Sequence, residues 1–167
     1  HFYEPLGLHR TAFNPLLKGI PIYEIAPSEY DQEFRKEQIW GYVNDRNAAI
    51  YGGVAGHAGL FSTSQEMAVI MQMIMQNGSY GDHQYLLPQT LATFNKRYSS
   101  KNHRGLGWDK PGATKSVSSL ASPESFGHTG FTGTMVWADP VYNMVFIFLS
   151  NRTFPNGNNN KLQKDRV

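Results

Sequence analysis

Two glycine-rich stretches carry the residues most able to do chemistry. His128-Thr129-Gly130 leads directly into Phe131-Thr132-Gly133. An imidazole and a hydroxyl flanking a bare backbone position could share protons and bond beside a substrate carbonyl. A glycine inside a strand also marks the close approach of a ligand or of another backbone. The competing reading is a bulged edge strand carrying an ordinary surface histidine. The second stretch is Gly52-Gly53-Val54-Ala55-Gly56-His57-Ala58-Gly59. Its glycines serve either a ligand-approach loop or a tight packing turn ahead of a helix. It lacks the spacing of a dinucleotide fingerprint and the lysine of a phosphate loop.

The search for a nucleophile and for a metal gives exclusions. No serine has a lysine three residues on, and no Gly-x-Ser-x-Gly elbow is present. Of the 6 histidines, only His57 and His128 sit among glycines. No His-Glu-x-x-His or paired His–carboxylate spacing supports a metal, and no cofactor is expected. With 0 Cys there are no disulfides and no thiolate ligands.

The elements that must position these residues read as an α+β arrangement, helices packed on an antiparallel sheet. Thr63 is an N-cap, and Glu66 three residues later makes a capping box for a helix from about Ser64 to Asn77. Met67, Ile70, Met71 and Ile74 fall on one face of that helix, and Gly78 supplies its left-handed cap. A shorter helix begins at Pro88, with Leu91 and Phe94 expected to face inward. Residues 134–138 and 143–149 are rich in β-branched and aromatic side chains around an Asp139-Pro140 turn, which predicts a hairpin. Residues 126–131 form a third strand and 105–108 a possible fourth. The unbroken apolar run at 144–149 predicts a strand covered on both faces. Residues 28–38 are polar and read as a short exposed turn of helix.

Charge excludes one class of partner. Of 15 basic and 13 acidic residues, Lys161, Lys164, Arg166 and Asp165 lie beyond Pro155, so residues 1–154 are neutral. No basic stripe exists to meet phosphates, and a nucleic-acid partner is not expected. No apolar stretch is long enough for a transmembrane helix. Charged residues are 17% of the chain and apolar ones about 44%, enough for a core. Length alone reads as one domain, with 155–167 a polar, flexible tail.

Three segments in order resemble a known family. Glu4-Pro5-Leu6-Gly7-Leu8 with Thr11, then Asp45-Arg46-Asn47-Ala48 leading into the Gly53–Thr63 stretch, then His128-Thr129-Gly130 followed by a hairpin ending Leu149-Ser150-Asn151-Arg152, are similar to the C-terminal part of class C β-lactamase-like serine hydrolases. That family includes penicillin-binding DD-peptidases and related esterases. The resemblance implies a partial β-lactamase/transpeptidase-like fold over residues 1–154. It implies acyl transfer on peptidoglycan-like peptides, β-lactams or small esters, in the periplasm or cell envelope.

By the same resemblance His128 would polarise or share protons, Thr129 would bond a substrate carbonyl or carboxylate, and Gly130 would leave room along the strand edge. The Phe131 N–H would be half of an oxyanion hole. The family's Ser-x-x-Lys lies upstream of the Pro-Leu-Gly-Leu segment and is absent here. Tyr42-Val43-Asn44 spells the family's Tyr-x-Asn at the wrong place in the order and reads as a variant of a His-Asp site. The chain is therefore expected to be inactive alone and to need the N-terminal part of its own domain. The alternative is a non-catalytic accessory or binding module attached to another enzyme, such as a family 3 glycoside hydrolase.

Overall fold

The computed structural model describes residues 2–99, 101–112 and 117–162. Its elements in chain order are β1 (Ala12–Phe13), β2 (Tyr30–Asp31), β3 (Glu37–Gln38), α1 (Arg46–Ile50), β4 (Leu60–Phe61), α2 (Ser64–Met75), β5 (Ser79–Tyr80), β6 (His83–Gln84), α3 (Pro88–Asn95), β7 (Phe126–Thr129), β8 (Met135–Asp139) and β9 (Met144–Phe148). The last three make one antiparallel sheet in the order β7-β8-β9, and β1 pairs with β4, β2 with β3, and β5 with β6. Two short 3-10 turns, Pro15–Lys18 and Ile22–Glu24, shape the winding connection ahead of β2.

Helix α2 forms as its sequence predicts, with Thr63 Oγ1 accepting the Glu66 N–H at 3.3 Å. The Glu66 side chain does not close the capping box. It turns instead to the Arg10 N–H at 2.8 Å and the Thr11 hydroxyl at 2.6 Å, stitching the helix start to the N-terminal segment. The buried arc is also wider than one stripe. Met73 packs with Leu6 and Leu8, while Met71 packs with Phe126 and Ala138 of the sheet. A helix wedged between two layers needs apolar groups on both flanks, so a single-face reading missed Met73. At the far end Asn77 and Gly78 are left-handed (φ 56° and 87°), and the Gly78 N–H returns to the Met73 carbonyl at 2.9 Å.

Helix α3 starts at Pro88 as expected, but Phe94 is largely exposed. Its anchor is polar: the Lys110 ammonium reaches Asn95 Oδ1 at 3.2 Å and the Glu124 carbonyl at 2.9 Å. Burial pushes the Lys110 ammonium below its ordinary pKa, against the opposing pull of Glu124 and Asp139.

Residues 28–38 are a hairpin, β2–β3, and not a helix. Asp31 explains the difference, because its Oδ1 takes the N–H groups of Glu33 and Phe34 and fixes a turn. Residues 105–108 are likewise not a fourth strand. Gly107 is left-handed (φ 99°) and the Gly105 N–H closes on the Trp108 carbonyl at 2.9 Å. A single bridge, Arg104 to Asp109, pairs the two ends of this turn, and among the described residues a second, Asp109 to Gly127, joins it to β7.

The β8–β9 hairpin is as predicted, and its corner is organised by buried Asp139. That carboxylate accepts Ser122 N–H and Oγ, each at 2.7 Å, and the Val141 N–H at 3.1 Å. Burial raises the Asp139 pKa, but these hydrogen bonds outweigh it and the net shift is downward. Strand β9 is covered on one face only. Val136, Ala138 and Val145 pack towards α2, whereas Met144, Phe146 and Phe148 remain 49%, 49% and 39% exposed. The fully covered strand anticipated from the apolar run is thus half open.

Gly127 has a demanding position in the sheet. A Cβ there would stand 2.2 Å from the Val136 carbonyl oxygen and 2.3 Å from Trp137 Cε3. The indole lies against a strand that has no side chain at this point. Gly127→Ala is expected to cost about 1–3 kcal/mol through displaced backbone and indole, read as a lowered urea midpoint at unchanged slope.

Candidate functional site

Strand β7 presents His128 exposed and Thr129 half-buried, and half-buried Gly130 and exposed Phe131 follow in the turn to β8. All four residues placed at the site by sequence are therefore contiguous at this end of the strand. Register pairs His128 with Val136 and Thr129 with Met135. The Gly130 N–H bonds the Thr134 carbonyl at 2.7 Å, and the Gly133 N–H bonds Gly130 at 3.1 Å, closing the turn. A Cβ on Gly130 would sit 2.2 Å from Thr134 Oγ1. Among the described residues the Phe131 N–H has no hydrogen-bond partner.

Segment 150–152 clamps this turn from behind. Ser150 Oγ donates to the Gly133 carbonyl at 2.6 Å, and the Arg152 N–H reaches Thr132 at 2.9 Å. Arg152 Nε donates to the Phe131 carbonyl at 2.6 Å while its guanidinium lies 4.2 Å from the centre of the Phe131 ring. The same guanidinium holds the carbonyls of Gly157 and Asn159 at 3.1 and 3.2 Å. Of the expected flexible tail, residues 163–167 lie outside the described residues.

His128 has one side-chain neighbour that the sequence did not single out, Arg104, which is itself paired with Asp109. Arg104 Nη1 is 3.4 Å from its Nε2, and Asp109 Oδ1 is 3.1 Å from the same Nη1. The only signal was position: Arg104 immediately precedes Gly105-Leu106-Gly107-Trp108, the turn that bridges to β7. The second contact of the ring, Nδ1 to the Thr129 carbonyl at 2.7 Å, is local.

The other glycine-rich stretch takes its packing-turn reading. Gly53 (φ 83°) would place a Cβ 2.2 Å from Asn14 Oδ1, and Gly59 (φ 109°) would place one 2.3 Å from the Gly53 carbonyl oxygen. His57 lies at its tip, with Nε2 3.2 Å from Asp45 Oδ1, both side chains exposed. Asp45 also caps α1 by accepting the Ala48 N–H at 2.8 Å. That hydrogen bond, opposed by partial burial and helped by His57, holds the Asp45 carboxyl below its usual pKa. A lowered carboxylate adds stability above the ordinary aspartate range, and that stability is lost as pH falls through the folded value. Asp45→Ala is expected to cost about 1 kcal/mol. The loss should shrink on acidification when midpoints are compared at neutral and low pH.

Tyr42 and Asn44 take part in local structure. The Tyr42 hydroxyl reaches the Ala49 carbonyl at 3.4 Å, and the Asn44 carbonyl accepts Arg35 Nη2 at 2.7 Å. Among the described residues no group of three or more His, Cys, Asp or Glu could hold a metal ion, and no helix is long and apolar enough to cross a membrane.

Comparison with known proteins agrees with this architecture. The Beta-lactamase family model matches residues 1–166. Proteins of Salmonella paratyphi B and Salmonella newport, each named "Putative D-alanyl-D-alanine carboxypeptidase", are 41% identical over 164 residues, covering 90% of this chain. This chain spans 38% of the length of those relatives. A penicillin-binding protein homologue from Caulobacter crescentus superposes with a TM-score of 0.59 at 17% identity, covering 97% of this chain and 48% of that one. The octameric penicillin-binding protein homologue of Pyrococcus abyssi gives 0.55 at 16% identity, over 92% and 33%. Mixed helix and antiparallel sheet, a family model that matches residues 1–166 of this chain and a shared fold make this chain a member of the Beta-lactamase family.

Proposed function

We propose that this chain forms one wall of the active site of an acyl-transferring serine hydrolase. Its substrates would be peptidoglycan-like peptides, β-lactams or small esters in the cell envelope. The observation that carries the reading is the end of β7 and the turn after it, beyond the Asp109–Gly127 bridge. There an imidazole, a hydroxyl, a bare backbone position and an unpartnered N–H follow one another at His128, Thr129, Gly130 and Phe131. The carboxypeptidase name of the Salmonella relatives supports a peptide substrate.

In this reading a serine from a segment upstream attacks the substrate carbonyl. Thr129 binds the substrate alongside, and the Phe131 N–H meets the oxygen on which negative charge develops. A preorganised donor of that kind is worth about 100- to 1,000-fold in rate. The clamp by Ser150 and Arg152 keeps the turn from reorganising as charge builds. Covalent catalysis needs its nucleophile, so the 167-residue chain alone should show no turnover.

The test is direct. The protein extended by its upstream coding region is challenged with a fluorescent penicillin and with nitrophenyl esters. A covalent label on a serine of a Ser-x-x-Lys, or ester turnover abolished by replacing that serine, is the expected result. An upstream region that holds no such serine, with neither label nor turnover, would sink the proposal and favour an accessory module.

A further inference from the structure

We propose that Arg104 is the positioning residue of His128, fixing the imidazole in the Nδ1–H tautomer before any substrate arrives. The inference deepens the hydrolase reading only in its kinetic consequence, since the tautomer follows from contacts within this chain. A backbone carbonyl can only accept, so the 2.7 Å contact from Nδ1 to the Thr129 oxygen puts the ring proton on Nδ1. A guanidinium can only donate, so Nε2, 3.4 Å from Arg104 Nη1, presents its lone pair there. The two contacts require the same tautomer, and it is the opposite of the Nε2–H form that a free neutral imidazole prefers.

Arg104 is itself held. The Asp109 side chain is only 4% exposed and stands 3.1 Å from Nη1, whereas that of Arg104 is 53% exposed. Among the described residues Asp109 Oδ1 has no aligned hydrogen-bond donor, so the pair attracts through charge and leaves an N–H of Nη1 to point at the ring. Backbone pairing sets the placement: the Arg104–Asp109 and Asp109–Gly127 bridges bring residue 104 beside the residue that follows Gly127. The positive charge facing His128 Nε2 is then that of Arg104, anchored on a buried carboxylate, and the ring is oriented from both nitrogens. Removing such a support, with the ring left in place, is expected to lower activity about 10- to 100-fold, the range seen when a metal-bound histidine loses its orienting partner.

The experiment uses the protein with its upstream region, labelled with 15N-histidine and observed at alkaline pH, where imidazoles are neutral. The His128 signals are assigned by their loss in His128→Gln. The expected spectrum shows a protonated, pyrrole-like Nδ1 and a lone-pair, pyridine-like Nε2. Arg104→Ala removes one of the two contacts and should add a resolvable Nε2–H population beside the Nδ1–H form that the Thr129 carbonyl still favours, and Arg104→Lys, which keeps a cationic donor, should restore the native form. With turnover as the second readout, Arg104→Ala should lower kcat about 10- to 100-fold with KM little changed. A native His128 in the Nε2–H form, or a tautomer indifferent to Arg104→Ala, overturns the proposal. Should the alanine variant fail to fold, the native and lysine spectra decide. The spectrum is read without substrate, so an inactive protein with an Nδ1–H His128 would count against the hydrolase reading and not against this one.

Discussion

Asp31→Ala should lower stability by about 3–5 kcal/mol, the usual consequence of stripping a buried carboxylate from its cationic partners. Asp31 has only 2% of its side chain exposed and stands 3.0 Å from both Arg35 Nε and Arg46 Nη2. It also fixes the β2–β3 turn through the N–H groups of Glu33 and Phe34. Arg35 in turn holds the carbonyls of Val43 and Asn44 at 2.6 and 2.7 Å, so one carboxylate organises the chain from β2 to the start of α1. Its removal leaves the Arg35 guanidinium largely buried without a counter-charge. Chemical unfolding of wild type and variant at neutral pH measures the loss; a difference under 1 kcal/mol would refute the hub.

The same carboxylate makes a pH prediction of definite sign. Burial by itself would raise the Asp31 pKa, but the hydrogen bonds from Phe34, Arg35 and Glu33 prevail and hold it well below the carboxylate range. A depressed folded pKa contributes stability in full above the unfolded value of about 3.9. Stability should begin to fall near pH 4 and keep falling on further acidification. In Asp31→Ala this component of the acid slope should be missing.

What could be read in the sequence was what local pattern encodes. Helix α2 announced itself through a cap and a 3.6-residue period, and the β8–β9 hairpin through two β-rich runs around Asp139-Pro140. The polar stretch at 28–38 is a hairpin because Asp31 captures backbone N–H groups, and hydrophobic periodicity carries no trace of that. Strand β9 is half open despite its apolar run, because such a run encodes hydrophobic side chains and not what covers them. The site divides in the same way. His128, Thr129 and Gly130 are adjacent in sequence and carry a family pattern. Arg104 reaches His128 across 24 residues and Arg152 reaches Phe131 across 21, with no periodicity linking either pair. Such partners are set by strand pairing and by the path of the chain after the hairpin, which become visible only once the sheet is built.

Replacing His128 with alanine in the protein that carries its upstream region should reduce kcat/KM by about 100- to 10,000-fold, the range for a positioned proton-sharing group. The same change should leave stability within about 0.5 kcal/mol, because the ring is exposed and its contacts to Arg104 and the Thr129 carbonyl lie outside the core. Activity and stability are thus separable at this position, as they are not at Asp31 or Gly127. Thr129→Val tests the adjoining hydroxyl: it keeps the branched shape opposite Met135 while removing the group that would bond substrate. Its loss should fall mainly on KM if Thr129 grips ground state and transition state alike, and on kcat if the bond tightens only as the carbonyl becomes tetrahedral. Steady-state kinetics on a nitrophenyl ester, with thermal unfolding of each variant alongside, separates these outcomes. Full activity in His128→Ala with an intact fold would remove β7 from the catalytic site and return its glycine to the simpler role of an edge strand.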